Sequence, residues 1–393
     1  MLSHRNRDYR SHLGLGRELL STPFPHVVAW ESTRACRFAC VHCRADAQTK
    51  PDPSQLSTDE ALRMVDEIAE FSQPLFIISG GDPLLRDDVF EVASKANAKG
   101  MRVVMSPSGS QITPEVVDSM IQSGIRRVSV SLDGSNPDSH DGFRRVPGSF
   151  ELAHTSISVL KQEGMPFQIN TTVTQHNLDD LPKIRDLVVE LGAAAWDIFM
   201  LVPTGRARIR MEITPREYEE TLNHVYDWTQ SSLIPVKMTC APHYRRVIAQ
   251  REKGSLQRNP STPIDSGKGA TLKVSNVASG RQPSVAAGGR GCMAGNGFCF
   301  ISHVGDVYGC GFLPIKAGNI REAHFRDIYQ QSSLFNSLRN FDLLQGRCGV
   351  CEYRAICGGC RARALGASNS YLEEEPYCIY TPKRYESSIS DVS

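Results

Sequence analysis

Apolar and polar positions along this chain follow two periods in turn. Six short runs, HVVAWE at 26–31, PLFIISGG at 74–81, MRVVMSPSG at 101–109, RRVSVSLDG at 126–134, FQINTTV at 167–173 and WDIFMLVP at 196–203, are mostly apolar and rich in β-branched residues. That is the composition of strands covered on both faces. Between the runs the period becomes helical. Ser57 followed by Glu60 forms a capping-box pattern, and Ala61, Leu62, Val65, Ile68 and Ala69 then recur at helical spacing. PEVVDSMIQSG at 114–124 and DLPKIRDLVVELG at 180–192 have the same character and end in Gly, as helices do. Strands alternating with helices predict βαβ units on a parallel sheet from about residue 26 to 203. Ligands of such sheets bind outside the carboxyl ends of the strands, so the polar residues that close each run are the first candidates for chemistry.

Composition adds a class. The 393 residues, 40% of them hydrophobic, suffice for one large domain and a smaller one. Lys and Arg number 44 against 43 Asp and Glu, a formal charge of +1, so no basic field invites nucleic acid. The N-terminal stretch MLSHRNRDYRSHLGLGRELL carries scattered charges without a continuous apolar segment, and no run is long enough to span a bilayer. A cytoplasmic enzyme that engages neither membrane nor nucleic acid is expected. Glu252–Gly291 is rich in Gly, Ser and Pro and predicts a flexible linker, or else a substrate lid. It divides the chain into an extension at 1–25, a main domain at 26–250, the linker at 251–291, a cysteine-rich domain at 292–385 and a disordered tail at 386–393. Twelve cysteines without a secretion signal favour metal or cluster ligation over disulfides.

Cys36, Cys40 and Cys43 form a CxxxCxxC run in TRACRFACVHCRA, directly after the first strand. Three thiolates can hold three irons of a cubic [4Fe-4S] cluster and leave the fourth iron open to a ligand from solution. The same three with His42 make a zinc set, although His42 and Cys43 are neighbours in sequence and reach one tetrahedral ion poorly. The spacing resembles the signature of the radical S-adenosylmethionine (SAM) superfamily, with His42 where that signature more often has Tyr or Phe. The resemblance implies an α/β partial (β/α)6 barrel whose open iron chelates SAM. It makes Cys36, Cys40 and Cys43 both ligands and the catalytic centre, with one electron cleaving SAM to a 5'-deoxyadenosyl radical.

The strand ends extend the resemblance. Ser79-Gly80-Gly81-Asp82-Pro83 is similar to the superfamily's GGEP turn with Asp in place of Glu, implying that Gly80, Gly81 and Asp82 lie at the methionine amino group. Alone, Gly-Asp-Pro is a common turn. Ser129, Ser131 and Asp133 alternate with apolar residues and share one strand face, as Asn170 and Thr172 do on the next strand. The resemblance puts Ser131, Asp133, Asn170 and Thr172 around the SAM ribose and carboxylate, with Arg144 paired to that carboxylate. It makes Val202 part of a backbone platform, Leu201 to Arg206, for the adenine edge. A guanidinium fork matches the two oxygens of a carboxylate. Otherwise Asp133-Gly134 is a turn and Arg144 a surface charge.

Beyond Gly291 come Cys292, Cys299, Cys310, Cys348, Cys351, Cys357, Cys360 and Cys378. The block CGVCEYRAICGGC followed by Cys378 resembles the small C-terminal SPASM iron-sulfur domain of radical SAM enzymes. The resemblance implies one or two auxiliary [4Fe-4S] clusters, the first on Cys292, Cys299, Cys310 and Cys360, the second on Cys348, Cys351, Cys357 and Cys378. Structural zinc is the other use of paired CxxC. Cys240 reads as a small buried apolar residue.

The phrases VVAWESTRACRFACVHCRADA, GGDPLL, LVPTGRA and CAPHYRRV narrow the resemblance to the radical SAM heme synthases of the siroheme-dependent pathway. That implies a tetrapyrrole substrate, iron-coproporphyrin III, oxidative decarboxylation of two propionates to the vinyls of heme b, and an external one-electron reductant such as ferredoxin or flavodoxin. A sibling enzyme that removes acetate side chains from didecarboxysiroheme shares this architecture. So does a peptide maturase, for whose leader-binding domain the 35 residues before Cys36 are too few. Four carboxylates call for local cations, making Arg206, Arg208, Arg210, Arg245, Arg246 and His243 candidate substrate contacts.

Overall fold

The computed structural model describes residues 23–108, 110–258 and 291–385. Most of the expected N-terminal extension, most of the linker and the tail lie outside the described residues. All six predicted strands form: β1 Val27–Glu31, β2 Leu75–Ser79, β3 Arg102–Met105, β4 Ile125–Ser131, β5 Phe167–Val173 and β6 Trp196–Met200. A seventh, β7 Val236–Thr239, follows, and the C-terminal region adds β8 Phe298–Ile301, β9 Asp306–Tyr308 and β10 Lys316–Asn319. They make one sheet in the order β10-β9-β8-β1-β2-β3-β4-β5-β6-β7. Strands β1 to β7 are parallel, β8 joins the free edge of β1 in parallel, and β9 and β10 run antiparallel. The C-terminal domain thus continues the sheet of the main domain.

Helices α1 Thr58–Ala69, α2 Val89–Ala98, α3 Pro114–Gln122, α4 Pro137–Arg144, α5 Ser149–Gln162 and α6 Leu181–Glu190 supply the crossovers, followed by α7 Pro215–Ser231 and α8 Tyr244–Arg258. The capping box opens α1 as read: the Glu60 amide donates to Ser57 Oγ at 3.2 Å and the Ser57 amide to the Glu60 carboxylate at 2.9 Å. Ala61, Met64, Val65 and Ile68 then face the sheet. Trp30, Phe76, Ile78, Val103, Val128, Ile169 and Ile198 meet them in the main core, each large apolar side chain stabilising the fold by roughly 1.5–3 kcal/mol on burial. On β5 the alternation is complete: Phe167, Ile169, Thr171 and Val173 are buried, while Gln168, Asn170 and Thr172 are half-buried on the opposite face. Helix α8 runs past residue 251, where the linker was expected to start. Four short helices, α9 Phe325–Gln331, α10 Ser333–Arg339, α11 Gly346–Val350 and α12 Arg361–Ser368, complete the C-terminal domain. Among the described residues no helix is long and apolar enough to cross a membrane.

Candidate active site

β1 delivers the chain at Glu31 to the loop that carries Cys36, Cys40 and Cys43. Each sulfur meets one donor: the Phe38 amide at 3.3 Å from Cys36 Sγ, a guanidinium N–H of Arg144 at 3.6 Å from Cys40 Sγ, and the Ala47 amide at 3.4 Å from Cys43 Sγ. Donors aimed at sulfur favour the thiolate. Burial nevertheless pushes the Cys36 thiol up to about 11, the Phe38 amide opposing while Asp82, Cys40 and Cys43 add to the rise. Three sulfurs on one loop, each with its own donor, fit a cationic iron-sulfur group. Among the described residues no three His, Cys, Asp or Glu side chains gather tightly enough to hold a single metal ion.

His42 is turned into an aromatic stack. Its ring lies flat on Phe143, with centroids 4.2 Å apart and planes at 9°, and Phe143 stacks in turn on His176 at 5.5 Å and 5°. Burial, with Arg144 and Arg206 nearby, holds its pKa well below the ordinary histidine value, so the ring is neutral.

The loop is seated by backbone. The Gly81 amide donates to Thr33 O at 2.6 Å and the Asp82 amide to Ala35 O at 2.7 Å. A Cβ on Gly81 would lie 2.4 Å from Ala35 O and 2.6 Å from Arg34 O, and one on Gly80 2.6 Å from Thr33 O. The two glycines were expected to clear room for the methionine amino group; the room they clear here is taken by the cysteine loop itself. Asp82, fully buried, accepts from the amides of Leu84 at 3.2 Å and Ser110 at 2.6 Å and so fixes the turn beneath the loop. Gly205, at φ +65°, performs the same service from the other side, since a Cβ there would lie 2.4 Å from both Cys43 O and Arg44 O.

Arg144 and Asp133 are both buried and form an ion pair, which excludes the surface-charge reading. Asp133 also accepts the Thr172 amide at 2.7 Å, and its carbonyl accepts from the Asn177 side chain at 2.9 Å. Arg144 thus bridges the Cys40 sulfur and the end of β4. A cavity of about 390 Å³, open to solvent, lies here, lined by Phe38, Ser110, Ser131, His140 and Arg144 among others. Asn170 and Thr172 sit one strand further on, with Asn170 accepting from Gln168 at 2.9 Å. Val202 is buried in a second apolar cluster with Leu313, Leu334, Leu338 and Cys360, and the neighbouring Leu201 carbonyl accepts from Arg363 at 3.0 Å. That strand end is tied to the C-terminal domain.

The substrate candidates separate. Arg206 Nε donates to Cys40 O at 3.0 Å and its Nη1 to Ala47 O at 2.9 Å, while its own amide donates to Cys43 O at 2.9 Å, so Arg206 holds the cysteine loop. Arg208, which donates to the Gly205 and Ala207 carbonyls, and Arg210 are exposed. Arg245 is half-buried on α8. Arg246 and His243 lie against the C-terminal domain. Arg246 is buried in a bidentate pair with Glu219 at 2.8 and 2.5 Å. His243, wholly buried, lines with Arg246 a second cavity of about 430 Å³ whose wall contains Cys348, Cys351, Cys357 and Cys378. The helical periodicity after Pro242 turns both side chains inward, which a count of arginines cannot show.

That second cavity gathers the four cysteines expected for one auxiliary cluster. Amides of Glu375, Tyr353 and Gly359 donate to Cys348, Cys351 and Cys357 sulfurs, each at 3.4 Å. Three cysteines of the other expected set, Cys292, Cys310 and Cys360, also lie together. Burial pushes Cys310 up to about 12, with Cys292 and Cys360 adding to it. Cys299 does not join them. It sits on β8 opposite Val28 of β1 and is wholly buried in the main apolar core. Its strand neighbour Phe300 faces the other way, under the Arg44 guanidinium at 4.4 Å and beside Gly311. The two-residue period of a strand therefore turns Cys299 away from Cys310.

Four residues at this junction, Glu31, Arg34, Arg44 and His303, are absent from the sequence-based candidates. Glu31, buried at the end of β1, pairs with Arg44 at 2.8 Å, Arg34 at 3.2 Å and His303 of the C-terminal domain at 2.9 Å. Burial opposes its charge, but the His303 hydrogen bond and the two guanidiniums hold its carboxyl down to about 2. A glutamate closing an otherwise apolar strand was the available signal.

Residues 30–188 match the radical SAM superfamily, and residues 292–361 match the SPASM iron-sulfur cluster-binding domain. An AdoMet-dependent heme synthase of Methanosarcina barkeri is 44% identical over 361 residues, 92% of this chain and 98% of that one. The Fe-coproporphyrin III synthase of the same organism is 28% identical over 90% of this chain and 88% of its own. Among solved structures, SuiB of Streptococcus suis bound to its precursor peptide SuiA superposes with a TM-score of 0.68 at 16% identity, over 95% of this chain and 80% of that one. Its likeness is one of fold. With three donor-supported thiols at the carboxyl edge of a parallel sheet and a cysteine-rich domain continuing that sheet, the chain belongs to the radical SAM superfamily, in its SPASM-bearing family of AdoMet-dependent heme synthases.

Proposed function

We propose that this enzyme converts iron-coproporphyrin III to heme b by oxidative decarboxylation of two propionates to vinyls. The observation that carries the choice of substrate is the 44% identity to an AdoMet-dependent heme synthase along almost its whole length, against 28% to an Fe-coproporphyrin III synthase. A [4Fe-4S] cluster on Cys36, Cys40 and Cys43, when bound, supplies an open iron for SAM and the electron that releases a 5'-deoxyadenosyl radical.

The chain's own residues do the rest. Gly80, Gly81 and Gly205 let backbone close over the cysteine loop, and Arg206 pins its carbonyls, so the three sulfurs keep one geometry. Arg144 places a positive charge beside Cys40, and Ser131, Asn170 and Thr172 present polar groups along the half-buried face for SAM. Arg208 and Arg210, exposed after β6, are the arginines available to substrate carboxylates. Loss of a hydrogen atom from the carbon next to the ring leaves a radical; release of CO2 and one electron then gives the vinyl. The C-terminal cysteines would hold a cluster able to accept that electron, and a ferredoxin or flavodoxin type of reductant in the cytoplasm would supply the one that SAM cleavage consumes.

The test is to incubate anaerobically reconstituted protein with SAM and reductant, and with either iron-coproporphyrin III or didecarboxysiroheme. Two successive losses of CO2 plus two hydrogens from the first support the proposal. Acetate loss from the second, with the first unchanged, overturns it in favour of the sibling reaction.

A further inference from the structure

We propose that Cys240, not Cys299, is the fourth ligand of the auxiliary cluster seated on Cys292, Cys310 and Cys360. The inference rests on the iron-sulfur reading of the C-terminal domain and is independent of the tetrapyrrole assigned above. Cys240 immediately follows β7, the last strand of the main domain, more than fifty positions before the iron-sulfur domain match begins. It nevertheless packs in the same apolar cluster as Cys310 and Cys360. Two residues on, Pro242 abuts Gly291, where a Cβ would lie 2.5 Å from Pro242 O and 2.9 Å from Cys357 O. The Cys292 amide donates to that same Cys357 carbonyl at 3.1 Å. The loop carrying Cys240 is therefore closed onto the segment that carries Cys292 and onto the turn between Cys357 and Cys360.

The backbone at Cys240 is held in an uncommon conformation, with φ +58°, one of four non-glycine residues in the left-handed region among those described. Such a conformation costs on the order of 1 kcal/mol and persists when the surroundings impose it. What imposes it is Arg363, whose Nη2 donates to Cys240 O at 2.5 Å while Nη1 takes Leu201 O. Arg363 is itself fixed by a fully buried pair with Glu375 at 2.9 Å, and Glu375 also accepts the Cys360 amide at 2.6 Å. One buried carboxylate thus sets the positions of Cys240 and Cys360 together. Cys299, by contrast, faces the helix-covered side of the sheet and would need β8 to turn over to reach the group.

The full chain is compared as wild type, Cys240→Ala, Cys240→Ser and Cys299→Ala. Each is made in a background with Cys36, Cys40 and Cys43 changed to Ala, so that the auxiliary sites alone are read. Iron and sulfide per chain are counted after anaerobic reconstitution, and electron paramagnetic resonance is recorded after mild oxidation. With two auxiliary clusters present, both Cys240 variants are expected to lose up to about half of the remaining iron, or to show a [3Fe-4S] signal that wild type lacks. Cys299→Ala is expected to match wild type in iron, sulfide and spectrum. Iron loss in Cys299→Ala, or wild-type iron and spectrum in the Cys240 variants, overturns the proposal. Zinc, or no cluster at all, in the background protein defeats the iron-sulfur reading itself, a result distinguishable from either.

Discussion

Arg206 separates two accounts of the same side chain, as a substrate contact or as a clamp on the cysteine loop. Replacing it with Ala removes two hydrogen bonds from a charged donor to Cys40 O at 3.0 Å and Ala47 O at 2.9 Å. Bonds of this kind contribute about 1.5–3 kcal/mol each, and since the side chain is 28% exposed the lower end applies, giving a total of about 3 kcal/mol. If that energy holds the loop closed, its open population rises roughly a hundredfold in Arg206→Ala. The assay follows iron removal by a chelator from anaerobically reconstituted protein, then deoxyadenosine formed with SAM and dithionite in the absence of tetrapyrrole. Arg206→Ala should lose iron from the three-cysteine site far faster than wild type and make little deoxyadenosine, with tetrapyrrole affinity unchanged. Arg208→Ala should do the reverse. Normal iron retention and deoxyadenosine in Arg206→Ala, with weakened tetrapyrrole binding, would refute the clamp.

Gly81→Ala forces a methyl group against the carbonyls of Ala35 and Arg34, which are backbone atoms that cannot swing aside; a loss of about 3 kcal/mol, the upper end for overpacking, in urea unfolding and poor iron loading are expected. Arg363→Met breaks a pair in which both side chains are 1% exposed, and should cost about 3–5 kcal/mol because Glu375 is left charged and buried, as thermal unfolding would reveal. Glu212 is pushed up to about 7 by burial, against the opposing hydrogen bond from Tyr377. The folded state then keeps a proton that the unfolded chain releases near 4.5, so stability falls as pH rises from about 4.5 to 7, by on the order of 3 kcal/mol, and levels off above. Glu212→Gln should flatten that slope and be the more stable protein above pH 7, in parallel denaturant titrations at both ends of the window.

The first six strands and helix α1 were legible because each strand is covered on both faces and carries β-branched apolar residues, while Ser57 and Glu60 write their own cap. β7 was not, since VKMT is short, half polar and half-buried at the sheet edge. The strands β8 to β10 lie among glycines and cysteines, and the pairing of β8 with β1 that joins them to the sheet arises only when distant segments meet. The three-cysteine loop could be read from local spacing, whereas the set Cys348, Cys351, Cys357 and Cys378 came with the SPASM resemblance; in the structure these four line one cavity. The partition of the other cysteines could not, because spacing says nothing of which strand face Cys299 takes or of the fold that carries Cys240 to Cys360. The surroundings of Arg206 and Arg246 were hidden for a related reason. Four carboxylates on a substrate explain many arginines, yet Arg206 and Arg246 already have partners within the chain.

The account stands most directly on where the hydrogen atom goes. Iron-coproporphyrin III carrying deuterium on the propionate carbons next to the ring, turned over with SAM and reductant, should give deoxyadenosine bearing one deuterium for each vinyl formed. Heme b accompanied by unlabelled deoxyadenosine, or no deoxyadenosine from fully reconstituted protein, would contradict it.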